Sequence, residues 1–377
     1  MMNVLKRTIC SLLCTVLLLS AISVSAEEAV TLDATSYLLM EGSTGTVLTA
    51  KNETEQRSMA SITKLMTILL ILEELDKGNL SLTDTVTASA NASAMGGSQI
   101  YLKENEVMDV DTLLKSIFVA SANDSCIAMA EHIAGSEAAF VERMNERAGE
   151  LGLTSTVYKN PHGLDEEGHH SSAKDIATLS REVMKHDITT NYTTIWQERI
   201  RNGTFELTNT NKLIRFYDGA TGLKTGSTTD AGCCLSATAK RNGMELIAVV
   251  LNSPTDAIRF RDAKTLLDYG FKNYTLTTLA ATDESFGEIP VKYGKKETVL
   301  VYPKEALTLL SKKTEQVNAE PKIELYTAKA PLNAGDVCGK LTFEANGEIV
   351  KETELIVTEA VVKQSFWQTV KEFLKVI

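Results

Sequence analysis

Three short motifs in the sequence combine hydroxyl, amine and amide side chains. They are Ser61-Ile62-Thr63-Lys64, Ser121-Ala122-Asn123 and Lys224-Thr225-Gly226. Each motif alone is so short that it recurs by chance in unrelated proteins. Their order along the chain, together with the elements that the sequence predicts around them, makes the set informative about chemistry.

The first motif places an alcohol and an amine one helical turn apart. Ser61 stands at the start of an apolar helix, where unpaired backbone N–H groups and a partial positive charge stabilise a developing anion. Lys64 follows on the same face and is nearly the only charged residue between Ser58 and Leu72. Because burial lowers the pKa of a lysine, a neutral Lys64 would take the proton of Ser61 and create a serine nucleophile. The competing interpretation is a lysine whose charged end reaches the surface.

The second motif offers a hydroxyl and an amide at a bend between predicted helices. Ser121 would relay a proton to a leaving amine, and Asn123 would hold either Lys64 or a substrate carbonyl. Taken alone, this segment is more typical of a helix cap.

The third motif lies in a predicted strand. Lys224 and Thr225 supply a positive charge and a hydroxyl, which together suit a substrate carboxylate. Gly226 removes a side chain at a point where something approaches the backbone. The N–H of Ser227 would complete an oxyanion hole with that of Ser61.

The elements that must position these motifs follow an α+β order. They are a hairpin over residues 36–50, a buried helix over 61–75, two helices over 110–151, a loop over 153–172, a helix over 173–185, strands over 204–253 and a helix over 258–269. This order predicts an antiparallel sheet with flanking helices.

The chain divides into four predicted segments. Residues 1–26 have a positive start, an apolar run and small residues before Glu27, which is typical of a cleaved secretory signal peptide. Residues 27–275 carry the three motifs, and residues 276–359 read as a small β-rich domain. Residues 360–377 predict an amphipathic helix that contacts a membrane surface, with a helix docked on its own domain as the alternative.

Composition excludes several classes of protein. The chain has 377 residues, of which 44% are hydrophobic and 23% charged, so it is globular rather than disordered or coiled-coil. Its formal net charge of −11 disfavours a nucleic-acid partner. Beyond the signal peptide, Cys126, Cys233, Cys234 and Cys338 show no disulfide framework, so we expect free and mostly buried thiols.

The sequence around the motifs resembles a family. The similar segments are Met59–Thr67, Ser121–Ser125, Asn209–Asn211, Gly222–Gly226, Arg259-Phe260 and Leu266–Phe271. They resemble low-molecular-mass penicillin-binding proteins, which are serine-type D-alanyl-D-alanine carboxypeptidases. The resemblance covers about residues 30–275 well, and the β-rich domain and terminal helix match the family's layout. The middle motif departs from the pattern, because Ala122 stands where glycine is common in the family.

The resemblance implies a serine β-lactamase/transpeptidase-like fold with a helical subdomain, and cleavage of the bond between two terminal D-alanines of a peptidoglycan stem peptide. Ser61 would form the acyl-enzyme, Lys64 would accept its proton, and Ser121 and Asn123 would assist. Lys224, Thr225, Gly226 and Ser227 would bind the substrate, with Arg259 at the edge of the site. The enzyme would act outside the cell, at the outer face of the bacterial cytoplasmic membrane, and penicillins would acylate Ser61 as covalent inhibitors.

A class A β-lactamase, which shares the three motifs, is the nearest enzymatic alternative. It needs a loop carboxylate followed three residues later by asparagine, and Glu142 and Asn145 have that spacing. These two residues lie in an apolar-periodic stretch that predicts a helix rather than a loop. The β-rich domain and the terminal helix are also unnecessary in a freely secreted β-lactamase.

Two further alternatives come from other classes of protein. A noncatalytic β-lactam sensor or wall-binding module would hold penicillin without releasing D-alanine. A metalloenzyme would have to use His162, His169 and His170, which lie in a loop without a carboxylate or cysteine at ligand spacing. We therefore expect loop histidines, with no metal and no cofactor.

Overall fold

The computed structural model describes residues 30–365 and Trp367. The predicted signal peptide and most of the predicted terminal helix lie outside the described residues. Within the part of the chain that the structure describes, no helix combines the length and the apolar character that crossing a membrane requires.

The first part of the fold contains nine strands, nine α-helices and one short 3-10 turn at Ala60–Thr63. In chain order the elements are β1 (Ser36–Glu41), β2 (Val47–Lys51), α1 (Lys64–Asp76), β3 (Thr85–Thr87), α2 (Ala90–Ser93), β4 (Val107–Asp109), α3 (Val110–Ala120), α4 (Asn123–Ala134), α5 (Glu137–Glu150), α6 (Ala173–Met184), α7 (Thr189–Thr193), β5 (Gln197–Ile200), β6 (Phe205–Thr208), α8 (Leu213–Phe216), β7 (Ala220–Thr228), β8 (Gly232–Arg241), β9 (Met244–Ser253) and α9 (Asp256–Asn273).

The central sheet is antiparallel and has the strand order β2-β1-β9-β8-β7. β1 and β2 form the predicted hairpin, and β8 and β9 form a second hairpin that turns at residues 241–243. β7 is an edge strand, since among the described residues it pairs only with β8. Its outer edge therefore presents backbone N–H and C=O groups that another extended chain can pair with.

Helices cover both faces of the sheet because its central strands are apolar on both sides. In β9, Ile247, Val249 and Leu251 belong to the main core, whereas Leu246 lies against Gly270 of α9. Side chains alternate across a strand, so the two sets face opposite layers. α6 packs against β9 and β1 on the side of the main core, and α9 packs against β9 and β8. The predicted α+β architecture is confirmed.

α1 is the buried helix that the sequence predicts. All nine residues from Lys64 to Leu72 are buried. The helix contacts α3, α4, α5 and α6, so it is enclosed on every side, as an apolar circumference requires. It therefore carries the end of the first motif into the protein interior.

Three helices occupy residues 110–151, and the prediction of two was wrong. α3 ends at Ser121, where φ is 61°. α4 ends at Gly135, where φ is 81°, and the side chain of Ser136 then caps α5 by accepting from the N–H of Ala139. A left-handed glycine followed at once by a capping serine is a helix stop next to a helix start.

The loop over residues 153–172 is anchored at several points, although it contains no helix or strand. Asn145 of α5 brackets one loop residue, because its Oδ1 accepts from the N–H of Tyr158 and its Nδ2 donates to the carbonyl of Tyr158, both at 2.9 Å. Asp175 of α6 accepts from the hydroxyl of Thr156 at 2.8 Å. The loop is thus held from two helices before it reaches the motifs.

The described residues that follow α9 form the predicted β-rich domain. Its strands are β10 (Tyr274–Ala280), β11 (Glu288–Lys292), β12 (Thr298–Pro303), β13 (Leu307–Lys312), β14 (Glu320–Leu325), β15 (Ala328–Lys329), β16 (Val337–Ala345) and β17 (Glu348–Val357). Six of them form a sheet in the order β14-β16-β17-β12-β11-β15, and β10 pairs with β13. A separate apolar core, which includes Val301, Leu341 and Leu355, holds this domain together.

Candidate active site

Ser61 lies in the 3-10 turn that leads into α1. The residue before it, Ala60, has φ of 49°, in the left-handed region that residues with a side chain rarely adopt. This kink turns the chain sharply just before the serine. Ser61 itself is partly exposed, whereas Ala60, Ile62 and Thr63 are buried. The turn therefore presents a single hydroxyl to the outside.

Lys64 lies one turn further along and is fully buried. Its Nζ donates to Oγ of Ser61 at 2.8 Å, to Oδ1 of Asn123 at 2.6 Å and to the carbonyl of His162 at 2.6 Å. Burial lowers its pKa to about 8, although the charges of Cys126 and Asp124 oppose the shift. All three hydrogen-bonding positions are filled, and none of the acceptors is a carboxylate. With a pKa of about 8, most of the Lys64 amine is charged at pH 7 and donates to Ser61; the neutral fraction, which grows as the pH rises, can accept the hydroxyl proton instead.

The second motif lies where α3 meets α4. Asn123 begins α4, and its Nδ2 donates to the carbonyl of Gly96 at 2.7 Å while its Oδ1 receives Lys64. Of the two roles considered for Asn123, the structure has the one that holds Lys64. Ser121 is buried, and among the described residues its Oγ has no hydrogen-bond partner. A buried hydroxyl without a partner is costly in a folded protein, so it marks a group that is free to act.

β7 lies directly against the 3-10 turn that carries Ser61, as the third motif requires. A Cβ placed on Gly226 would lie 2.8 Å from the carbonyl of Met59 and 3.0 Å from the nitrogen of Ser61. No other residue type fits that distance without displacing the turn. Ser227 follows and is exposed. The outer edge of β7 and the backbone nitrogen of Ser61 thus border the same space.

Lys224 and Thr225 lie beside this space. Lys224 is buried, and its Nζ donates to the carbonyl of Thr225 at 3.0 Å. Burial and the nearby charge of Lys64 lower the pKa of Lys224 well below its usual range. The hydroxyl of Thr225 donates to that of Thr210 at 2.7 Å. A carboxylate here would favour protonation of Lys224 and meet two hydroxyl groups.

Arg259 of α9 supports β7 from behind. Its Nη1 donates to the carbonyl of Gly226 at 2.9 Å and to that of Cys234 at 3.3 Å, and its Nη2 pairs with Asp256. The residue is only 7% exposed. These contacts bind Arg259 to β7, the strand that borders the site and carries the third motif.

The loop over residues 153–172 reaches the same centre, which sequence reasoning missed. Besides the contact of the His162 carbonyl with Lys64, the carbonyl of Pro161 accepts from Thr67 at 2.6 Å. A Cβ on Gly163, where φ is +89°, would lie 2.0 Å from the carbonyl of Ala60. The signal was present in Pro161-His162-Gly163, since a glycine can accept both a positive φ and a close approach.

Two of the loop histidines, His162 and His169, are buried, whereas His170 is partly exposed. Burial lowers the pKa of His162 to about 3, with further lowering by the charge of Lys64. Burial also lowers the pKa of His169 to about 4. Both rings are therefore neutral at pH 7. Within residues 30–365, no group of three or more histidine, cysteine or acidic side chains is arranged to hold a metal ion.

Glu142 and Asn145, whose spacing suggested a class A β-lactamase, do not lie together in a loop beside the active site. Glu142 is exposed on α5, and Asn145 holds the backbone of Tyr158. In a class A β-lactamase the loop carboxylate has to lie within hydrogen-bond reach of the hydrolytic water. In the described structure the side chain of Glu142 faces solvent, and that of Asn145 anchors the loop. Cys126, Cys234 and Cys338 are buried, Cys233 is partly exposed, and all four thiols are free, as expected.

Fold and site together define a class of enzyme. An antiparallel sheet with an open edge strand, a serine at a turn beside that edge, and a desolvated lysine against the serine form a serine acyl-transfer site. Lys64 lies at hydrogen-bond distance from the serine hydroxyl, a position that histidine occupies in other serine hydrolases.

Comparison with known proteins assigns the family. Residues 22–255 match the D-alanyl-D-alanine carboxypeptidase family, and residues 274–363 match the penicillin-binding protein 5 C-terminal domain. The chain therefore belongs to the D-alanyl-D-alanine carboxypeptidases, and it is a serine-type enzyme of that activity. The resemblance seen in the sequence is confirmed.

Individual relatives agree with this assignment. The chain is 41% identical to the D-alanyl-D-alanine carboxypeptidase DacF of Bacillus subtilis over 89% of its own length and 87% of the relative's. It is similar to the crystal structure of penicillin binding protein 5 from Haemophilus influenzae, with 30% identity and a TM-score of 0.72, covering 90% of this chain and 100% of that one. It also resembles the ampicillin-bound form of penicillin-binding protein D2 from Listeria monocytogenes, with 30% identity and a TM-score of 0.60, covering 64% and 99%.

Proposed function

We propose that Ser61 is the nucleophile that removes the terminal D-alanine from peptidoglycan stem peptides, with Lys64 as its general base. The observation that carries the proposal is the 2.8 Å contact between Nζ of a fully buried Lys64 and Oγ of Ser61. Lys64 takes the hydroxyl proton as Oγ forms a bond to the carbonyl carbon between the two D-alanines. A general base at hydrogen-bond distance accelerates such a step by about 10² to 10⁴-fold.

The oxyanion of the tetrahedral intermediate would be bound by two backbone N–H groups. One belongs to Ser61, at the start of α1, and the other to Ser227 on the outer edge of β7. What supports this pairing is the close approach of Gly226 to the nitrogen of Ser61. Donors that are fixed before the reaction stabilise the developing charge without reorganisation.

The carboxylate of the leaving D-alanine would bind Lys224 and Thr225. In the free enzyme Lys224 is a poorly solvated amine with a lowered pKa. The carboxylate supplies the opposite charge that Lys224 lacks, so a substrate with a free C-terminus binds better than one without it. Arg259 would act by holding the Gly226 carbonyl, and hence β7, in place.

Ser121 would carry the proton to the leaving amine. Its buried hydroxyl lacks a partner among the described residues and lies two residues before Asn123, which binds Lys64. Loss of the amine leaves an acyl-enzyme on Ser61, and water then releases the shortened peptide. Penicillins carry an amide in a strained ring, so they would acylate Ser61 by the same route.

A Ser61→Ala variant tests the proposal. The enzyme should release D-alanine from a diacyl-Lys-D-Ala-D-Ala peptide and gain the mass of one penicillin, and the variant should do neither. Ser58→Ala, three residues earlier and outside the 3-10 turn, is the matched control and should retain both activities. A penicillin adduct on Ser61→Ala would refute the nucleophile. An adduct on the natural protein without D-alanine release would instead indicate a noncatalytic sensor.

We also propose that the protein is exported after loss of residues 1–26 and lies on the membrane surface through the later part of the segment 360–377. In the sequence of the terminal segment, apolar and aromatic residues recur at helical spacing with lysines between them, a pattern typical of helices that bind anionic lipid surfaces. Among the described residues, Trp367 supports the proposal because its side chain is 74% exposed.

A truncation tests the membrane proposal, and the structure fixes where the cut belongs. The N–H of Lys295 bonds to the carbonyl of Val362, and the N–H of Gln364 bonds to the carbonyl of Tyr293, so residues 361–364 belong to the β-rich domain. Removal of residues 366–377 should shift the enzyme from anionic vesicles to the supernatant without changing D-alanine release. Continued sedimentation with the vesicles would refute the anchor.

A further inference from the structure

We propose that Thr63 and His169 form a positioning pair that sets the direction of the Ser61 backbone N–H. The inference deepens the proposed function and depends on it, since this N–H is one of the two oxyanion donors. Thr63 lies within the first motif but received no chemical role from the sequence, and His169 was considered only as a metal ligand.

The first step is the hydrogen-bond chain. The N–H of Lys159 donates to Nδ1 of His169 at 3.0 Å, so the ring proton of this neutral histidine is on Nε2. Nε2 lies 2.6 Å from Oγ1 of Thr63 and therefore donates to it. The Thr63 hydroxyl is left to donate to the carbonyl of Ala60, at 2.8 Å. The direction of every bond in the chain is thus determined.

The second step is the confinement of the Ala60 carbonyl. Gly163 lies so close that a Cβ on it would be 2.0 Å from this oxygen and 2.8 Å from Oγ1 of Thr63. Thr63 is fully buried and His169 is 5% exposed. Water therefore cannot replace the hydroxyl, and the carbonyl has one orientation.

The third step is the rigidity of a peptide plane. The bond between Ala60 and Ser61 is not among the cis peptides, so its C=O and N–H point in opposite directions. Fixing the carbonyl of Ala60 toward Thr63 aims the N–H of Ser61 the other way. The nitrogen of Ser61 lies on the side of Gly226 in β7, where the oxyanion would be bound.

The chain also strengthens the donor. Hydrogen bonds in series polarise one another in a desolvated setting. Donation from His169 through Thr63 draws electrons toward the Ala60 oxygen, which makes the N–H of the same peptide more positive. The pair would therefore stabilise the transition state more than the bound substrate, and its loss would lower kcat rather than raise KM.

Thr63→Val tests the inference because it removes the hydroxyl and keeps the branched shape. The acylation rate constant with penicillin should fall about 10- to 100-fold, somewhat less than loss of a whole oxyanion donor. Thr63→Ser should recover the rate to within about threefold, since rescue needs only the hydroxyl. The affinity for an acyl-D-boroalanine, whose tetrahedral adduct on Ser61 places an oxygen in the same hole, should weaken by the same factor as the rate.

Thr67→Val is the matched control. Thr67 is fully buried one turn later in α1 and donates to the Pro161 carbonyl of the same loop at 2.6 Å. Its loss should lower thermal stability about as much as Thr63→Val does and leave boronate affinity unchanged. Equal boronate affinity for both variants would mean that Thr63 is only structural, and the inference would fail.

His169→Gln alone provides an independent arm if Thr63→Val does not fold, and it should weaken the boronate affinity by the same factor as the acylation rate. Where Thr63→Val does fold, the double variant gives a second test. In the double variant with Thr63→Val, the histidine change should add little to the loss of rate, because both act through one carbonyl. Fully additive losses would contradict the pair. If the natural protein neither releases D-alanine nor reacts with penicillin, the proposed function itself fails, which is a different result from normal acylation by Thr63→Val.

Discussion

Lys64 donates to Asn123, and the acceptor, Oδ1 at 2.6 Å, is an amide oxygen rather than a carboxylate. The assignment of oxygen and nitrogen in Asn123 is fixed by its second contact, in which Nδ2 donates to the carbonyl of Gly96 at 2.7 Å. An amide orients the amine without stabilising its charge strongly, so burial still lowers the pKa of Lys64 to about 8. Asn123 therefore orients the Lys64 amine without raising its pKa as a carboxylate would.

Asn123→Asp should move the pH dependence of acylation upward. A carboxylate at this distance stabilises the ammonium form of Lys64, so a higher pH is needed to free the amine. In the natural enzyme the second-order rate of penicillin acylation should rise with pH to a midpoint near 8. In the variant the midpoint should rise by at least one unit, with about a tenfold loss of rate at pH 7 per unit.

Asn123→Ala is the comparison for that shift. It should lose rate because the amine is no longer oriented, but its midpoint should not rise, since no charge has been added. Stopped-flow acylation with a fluorescent penicillin from pH 6 to pH 10 measures both variants. Identical profiles for Asn123→Asp and the natural enzyme would show that Lys64 is not the titrating base.

Lys64→Ala should reduce acylation about 10² to 10⁴-fold, the range for loss of a general base. The protein should remain folded, since the change removes a buried amine that is costly to desolvate. Lys77→Ala is the matched control because Lys77 follows the other end of α1 with an exposed side chain. The two variants are compared by intact mass after a timed exposure to penicillin. An adduct forming at the natural rate in Lys64→Ala would remove this residue from the mechanism.

The sequence was sufficient for the centre of the site because its residues are adjacent or one turn apart. Ser61 and Lys64 share a helix face by local geometry alone, and an apolar helix around them predicts burial. Whereas the edge position of β7 was seen only in the structure, the hairpin of β8 with β9 also follows from a local pattern and a turn. These are the relationships that short-range periodicity can determine.

The contribution of the loop could not be predicted in that way. His162 meets Lys64 through its backbone carbonyl, and His169 meets Thr63 through its ring, with about one hundred residues between the partners. A contact made by a backbone carbonyl does not depend on the residue type, and a histidine in a polar loop is predicted to lie at the surface. Arg259 was expected at the edge of the site, whereas the structure has it behind the strand, bound to the Gly226 carbonyl.

Gly226→Ala should separate β7 from the 3-10 turn that carries Ser61. The added Cβ would meet the Met59 carbonyl at 2.8 Å and the Ser61 nitrogen at 3.0 Å, and both are backbone atoms that cannot rotate away. Because displacement of either element spoils the oxyanion hole, acylation should fall by at least about tenfold. Gly149→Ala is the control, since α5 has open space at that position; it should be neutral or slightly stabilising. Natural acylation by Gly226→Ala would contradict the proposed position of the hole.

The buried histidines should make the fold sensitive to acid before the carboxylates are protonated. The pKa values of His162 and His169 are lowered from the ordinary value of 6.5 to about 3 and about 4. For His169, burial and the positive charges of His170 and Lys159 outweigh Glu166 and Asp165, which act in the opposite direction. As pH falls below 6.5 the unfolded chain binds protons that the folded chain resists.

Stability should therefore be highest above pH 6.5 and decline toward pH 4, by at most about 1.4 kcal/mol per pH unit for each histidine. Protonation of His169 would also set its Nδ1 proton against the N–H of Lys159, which breaks the anchor of the loop. Urea unfolding between pH 7.5 and pH 4.5 measures the decline, and His169→Gln should make it shallower while lowering stability at pH 7.5. A stability that stayed constant over this range would mean that the two rings accept protons in the folded protein, and that they are not enclosed by the loop as the structure has them.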